Sequence, residues 1–299
     1  MVKKSTKPLN GLPKLIIGSK PIDDGKYIFK AEERNIFLKE EPGAEPYLRP
    51  FVGSREFLQG GERWIIHLAD IPPQVLKTLP KVRERIAAVR NYRLASKSKP
   101  TQAIAETPRL YHVNVIPTAP FLVVPEVSSE RREYIPIGWL EPPVIPSNLV
   151  RIIENASKPL FALLTSAIHV SWMRYIAGRL KSDFRYSIGL VYNTFPLPPD
   201  FHTDSPSIAK LEPFAQAVLD ARCTYPEATL ADLYDPDLMP PNLRKAHQAL
   251  DRAVDRLYRS SGFATERERV EYLFMLYEKM RIPLNINKNP RRRRIQRIG

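Results

Sequence analysis

Residues 157–187 read SKPLFALLTSAIHVSWMRYIAGRLKSDFRYS, and the fold class turns on how they are read. Ser157 suits an N-cap, and Pro159 lies in the first turn. Leu160, Leu163, Leu164, Ala167, Ile168, Ser171, Trp172 and Tyr175 then recur at helical spacing. The pattern predicts one long helix whose stripe carries Trp172 and Tyr175 into a core. His169 lies near that stripe and suits a packed, hydrogen-bonded core histidine better than a metal ligand. Gly178 suits the helix stop. Beyond it Lys181, Asp183 and Arg185 occupy every second position. In an extended chain their side chains share one face, with steps of about 7 Å. The run continues into the strand-like IGLVYNTF and ends at the proline cluster 196–199.

Upstream, the chain reads as short strands and turns. KLIIG, GKYIF, YLRPFV and RWIIHL supply strands within residues 1–70, with turn chemistry at Pro21, Asp23, Asp24 and Gly25. A helix is predicted over 74–95, with Val82, Ile86 and Val89 on its apolar stripe and Arg83, Arg85, Arg90 and Arg93 elsewhere. It runs into SKSKPT, an exposed basic loop, after which LYHVNVIP, FLVVPEV and REYIPIGWL return to strands. Downstream of the prolines the pattern is helical over 208–223, 227–234, 242–260 and 265–280. Asp232, Arg244, Lys245, Asp251, Arg252, Asp255 and Arg256 fall on the polar, solvated faces of those helices. The expected fold class is α+β: a mixed strand–helix domain over 1–198, a small all-helical domain over 199–282, and a flexible basic tail over 283–299.

Composition narrows the function. The chain has 299 residues, enough for two cores, and no apolar run approaches the roughly 20 residues of a membrane span. MVKKSTKPLNGLPK lacks the apolar centre of a secretory signal. A single cysteine, Cys223, leaves no internal disulfide and no cysteine-based zinc site, so a reducing cytoplasm is the expected setting. The net charge of +14 and a pI near 9.8 favour a polyanionic partner, nucleic acid above all. Half of that excess lies from Arg281 onward, in seven basic residues with no acid. The run Arg291–Arg294 fits either a phosphate clamp or a solubilising tail.

Familiar catalytic patterns are missing. There is neither a Gly-rich dinucleotide loop nor a Walker loop, so no cofactor is expected on this chain. His67, His112, His169, His202 and His247 form no metal-spaced pair, and no metal site is expected. Asp24-Gly25-Lys26 matches half of a nuclease motif, but no Pro-Asp precedes it. The Asn-Pro-Pro-aromatic motif with which a DNA amino-methylase grips its flipped base is also absent. The chain reads as a binder with no catalytic residue of its own.

Several longer segments carry a family resemblance. GSKPIDDGKYIF, RWIIHL, VPEVSSERREYIP and the segment from LLTSAIHVSWMRYIAGRL to VYNTFPLP are similar, in order, to the target recognition domain of MmeI-like (type IIL) restriction–modification proteins. LADLYDPDLMPPNLRKAHQALDRAVDRLY resembles the helical domain that ends those proteins. The resemblance implies site-specific reading of double-stranded DNA on behalf of an adenine methylase that uses S-adenosylmethionine. Met1 falls just before the recognition domain begins, so the methylase is expected on another chain or lost.

The resemblance further implies three pairs of base-reading side chains: Lys181 with Asp183, Glu126 with Asn148, and Leu149 with Arg185. Groove chemistry agrees. A lysine donates to the acceptor edge of guanine and an aspartate accepts from the cytosine opposite, so Lys181/Asp183 suits a G·C pair beside the modified adenine. Glu126 with Asn148 suits cytosine, and Arg185 beside Leu149 suits a purine. Phosphate contacts are assigned to Lys97, Lys99, Arg131 and Arg132, with the arginines of the 81–95 helix as further candidates. Plainer roles compete: an exposed Lys181–Asp183 ion pair worth below about 1 kcal/mol, and Glu126 as a charge guarding a strand edge. At the level of function, the alternatives are an inactive fragment of a disrupted restriction–modification gene and a free-standing DNA-binding protein.

Overall fold

The computed structural model describes residues 2–9, 11–199, 201 and 206–286, with 281–286 as backbone alone. His202 and the run Arg291–Arg294 lie outside the described residues. The strands are β1 (Ile16–Ile17), β2 (Ile28–Lys30), β3 (Leu48–Val52), β4 (Arg63–Ile66), β5 (Phe121–Pro125), β6 (Val127–Ser128), β7 (Gly138–Leu140), β8 (Ile145–Pro146), β9 (Val150–Glu154), β10 (Gly178–Leu180) and β11 (Asp183–Arg185). They form three sheets, ordered β1-β9-β5-β7, β2-β4-β3-β8 and β10-β11-β6. All pairings between these strands are antiparallel except β3 with β8.

The central strands β5 and β9 explain how the layers stack. FLVVP is buried throughout, and alternation splits it between two cores. Leu122 and Val124 face the main core with Ile153, whereas Phe121 and Val123 join Val150 and Ile152 in a smaller cluster. The main core collects Leu164, Trp172 and Val191, and it also takes Leu243, Leu250 and Leu273 from the C-terminal helices. A third cluster of Tyr27, Phe29, Phe51, Ile65, Val82 and Val89 lies between the β2–β4 region and helix Pro80–Leu94. That helix starts at a proline, and Glu41 reaches in from 40 residues upstream to accept from the N–H groups of Lys81 and Val82.

Ser157 caps its helix as expected, its hydroxyl accepting from the Leu160 N–H. The single long helix does not form. It divides into Lys158–Thr165 and Ala167–Ile176, because Ser166 is extended at ψ 156°. Gly178 does not end the second helix, which stops at Ile176 and leaves Gly178 to open β10. Trp172 is fully buried, but Tyr175, expected beside it, is 59% exposed. His169 is buried and bonds to the Tyr186 hydroxyl at 2.8 Å, as its place on the stripe predicts.

Other local expectations also fail for tertiary reasons. LYHVNVIP forms no strand; only Val113 bridges Lys20, and the backbone N–H of Val115 bonds to the Ser19 hydroxyl. Residues 188–192 are a π-helix turn over which the N-terminal segment runs, with Ser5 and Leu9 donating to the carbonyls of Gly189 and Asn193. Residues Ala31–Glu40 form a helix that no apolar stripe announces, since Phe37 is its one buried residue. Part of the basic loop SKSKPT is helical, over Lys99–Ala103. Asp251 and Asp255, placed on solvated faces, are buried; Asp255 pairs with Arg269 at 2.8 Å. The last helix runs on to Ile286. Among the described residues no helix is long and apolar enough to cross a membrane.

Candidate nucleic-acid interface

The charged ribbon is a hairpin. Gly178 pairs with Arg185, Arg179 with Phe184 and Leu180 with Asp183, which leaves Lys181 and Ser182 as the connection. Lys181 takes the left-handed conformation, φ 56°, a position that usually favours glycine. The three charges therefore do not share one strand face. Asp183 and Arg185 alternate with buried Phe184 on β11, and Lys181 stands at the apex. Lys181 and Asp183 form no ion pair with each other among the described residues. Arg179 holds the base of the tip: its guanidinium stacks 3.8 Å above the Phe184 ring and pairs with Glu130 at 3.0 Å. The Glu130 N–H also donates to Asp183 at 3.4 Å.

The hairpin hangs on the chain that leaves β5. Phe184 pairs with Ser128 and Arg185 with Val127, and the Tyr186 N–H donates to the Glu126 carbonyl at 2.7 Å. This register delivers Arg185 to the Glu126 carboxylate, where Nη2 and Nε meet Oε1 at 3.0 and 3.1 Å. A second guanidinium, Arg151 of β9, reaches the same oxygen at 2.8 Å. Arg151 also donates at 2.8 Å to the carbonyl of Asn148. The Glu126 N–H donates to the carbonyl of Leu149 at 3.3 Å, and that carbonyl also accepts from the Ser54 hydroxyl. Glu126, Asn148, Leu149 and Arg185 are thus brought together by one hydrogen-bonded cluster. Burial pushes the Arg151 pKa down while the Glu126 carboxylate opposes the shift; an arginine stays charged regardless.

Asn148 and Leu149 line a cleft of about 450 Å³ with Lys20, Arg63, Tyr92 and Thr101. The segment bearing exposed Lys97 and Lys99 begins and ends at those last two residues, so it borders the same cleft. Leu149 and Arg63 also line a neighbouring cleft of about 770 Å³, which carries Lys30 and Arg55.

The phosphate candidates separate into two kinds. Lys97 and Lys99 are exposed and make no ion pair among the described residues. Arg131 is exposed but pairs with Asp237 at 2.5 Å, and Arg132 is half-buried near Asp183 and Asp235. Two arginines of helix Pro80–Leu94 leave the candidate set. Arg93 is wholly buried, and Arg85 stacks on Phe29 and Phe37. Sequence reasoning passed over Arg151 and Arg179. The signal for Arg151 was present: a lone arginine inside VRIIE, a strand otherwise apolar up to its last residue, requires a buried partner.

Comparison with known proteins gives this arrangement its class. A family model described as "MmeI, target recognition domain" matches residues 1–199, and one described as "MmeI, C-terminal domain" matches residues 205–285. The chain belongs to the MmeI family, as a target recognition domain followed by the helical C-terminal domain. It is 39% identical over 280 residues to DNA methyltransferase A of Bacillus subtilis (strain 168), covering 94% of this chain and 31% of that protein. It is 42% identical to the type IIL restriction–modification enzyme MmeI as solved in complex with DNA, with a TM-score of 0.90 over 94% of this chain and 37% of that one. The chain therefore spans about a third of the length of each of these relatives.

Proposed function

We propose that this chain is the site-reading part of a type IIL restriction–modification methyltransferase and works on double-stranded DNA in the cytoplasm. The convergence of Glu126, Asn148, Leu149 and Arg185 beside an exposed hairpin bearing Lys181 and Asp183 carries the reading. An apex lysine with an aspartate two residues on can reach a base-pair edge that a flat strand cannot, and donor and acceptor together suit G·C in one orientation. Glu126 accepts from cytosine, and Arg185 donates to a purine. Lys97 and Lys99, without an ion pair among the described residues, are the favoured phosphate contacts; Arg131 and Arg132 must first give up acidic neighbours. Methyl transfer to adenine from S-adenosylmethionine belongs to a methylase domain outside these residues, whose docking completes the enzyme.

The test is selection of bound duplexes from a randomised pool by the purified chain, repeated with Lys181→Glu/Asp183→Arg. A selected motif in which the exchange turns one G into C supports base reading. Sequence-blind binding that the exchange leaves unchanged removes it. If a motif is selected and the exchange leaves it unaltered, the chain is a site-specific binder that reads DNA through other residues.

A further inference from the structure

We propose that Arg151 is the positioning residue of the base-reading cluster, and that through it the positions read by Glu126 and by Arg185 are coupled. The inference rests on the base-reading role proposed above. Arg151 is 10% exposed and lies on the buried strand β9, whereas Arg185 is 60% exposed on the hairpin. Both guanidinium groups converge on Oε1 of Glu126, itself 14% exposed. The two cations hold that carboxylate differently. Arg185 is solvated and free to turn toward DNA; Arg151 is fixed by its second bond, to the Asn148 carbonyl, and stays.

Several consequences follow from that difference. When Arg185 leaves for a base, the Arg151 guanidinium stays 2.8 Å from the same Glu126 oxygen, so the carboxylate keeps a counter-ion and its place in the cluster. The bond to Asn148 fixes the backbone from which the Asn148 and Leu149 side chains project. Arg151 therefore sets the spacing of the Glu126/Asn148 pair without touching DNA. While Glu126 holds Arg185, it also sets where that arginine starts from, so a change at one reading position alters the other. The hairpin apex is anchored separately through Arg179, Glu130 and Phe184, so reading by Lys181 and Asp183 is independent of Arg151.

The experiment is duplex selection from a randomised pool by the full chain carrying Arg151→Met or Arg151→Lys, beside wild type. Thermal unfolding of each variant accompanies the selection. Lysine keeps a charge for Glu126 but lacks the planar fork that serves the carboxylate and the Asn148 carbonyl together. With Arg151→Lys, discrimination is expected to fall about tenfold at the positions read by Glu126 and Arg185, within the range of one good base contact. The G·C preference owed to Lys181/Asp183 is expected to stay. Arg151→Met is expected to lose both positions outright where it folds. If Arg151→Lys folds and keeps every preference, or loses all of them equally, the positioning role is overturned while base reading survives. If wild type selects no motif, base reading itself falls and the inference falls with it.

Discussion

Tyr134 donates a 2.7 Å hydrogen bond to Asp251, 117 residues further along the chain. The other oxygen of Asp251 accepts from the Ala167 N–H, also at 2.7 Å. One carboxylate of the C-terminal helices thus caps the helix Ala167–Ile176, which carries His169 and Trp172 into the main core. Burial, opposed by these two bonds, pushes the Asp251 carboxyl up to about 6.

A raised carboxyl pKa means that the folded state holds its proton more tightly than the unfolded chain does. The stabilising contribution of Asp251 is therefore fully present below about pH 4 and lost as pH rises through about 6. The difference between the two limits is up to about 3 kcal/mol. Thermal unfolding of Asp251→Asn across this window is expected to show a flatter pH profile than wild type. Parallel profiles would show that Asp251 does not titrate in that window.

Arg93 makes a separate contribution to stability. It is wholly buried and donates to the carbonyls of Pro21, Ile22, Ile104, Thr107 and Leu110 at 2.8 to 3.0 Å. It ties the end of its helix to the turn before β2 and to the segment that replaces the expected strand. Lysine offers fewer donors and no fork, so Arg93→Lys is expected to cost about 3 kcal/mol in urea unfolding, and Arg93→Ala more. A loss below about 1 kcal/mol would mean that water satisfies those carbonyls.

Lys181 offers a contrast between stability and recognition. Its φ of 56° is unfavourable for a residue with a Cβ and costs glycine nothing. Lys181→Gly is expected to raise stability by roughly 0.5–1 kcal/mol while abolishing the G·C preference proposed for its position. Denaturant midpoints and duplex selection on the same protein check both halves. A destabilised variant would show that the lysine side chain, rather than the turn, holds the apex.

The proposed phosphate contacts predict a salt signature. Lys97→Ala and Lys99→Ala are each expected to lower the slope of log affinity against log salt by about 1, with no change in the selected motif. Arg131→Ala is expected to change it less, because Asp237 already neutralises that guanidinium. Binding titrations at several salt concentrations measure the slopes. A motif altered by either lysine variant would move that residue from backbone contact to base reading.

The sequence by itself determined the elements whose reason is local. The stripe Leu160–Leu164, the Ser157 cap, the strand at FLVVP and the core place of His169 follow from residue type, periodicity and capping, which report how a residue faces its immediate surroundings. Only the tertiary structure decided where that local logic is interrupted. The helix breaks at Ser166 with a distant carboxylate, Asp251, receiving the freed Ala167 N–H. The charged ribbon turns at Lys181 while β6 offers β11 a paired edge, so alternation in sequence becomes a strand and an apex in space. Arg151 meets Glu126 across a sheet, 25 residues away in the chain. Turn position, helix breaks and ion-pair partners depend on groups brought close by folding, and no short window of sequence contains them.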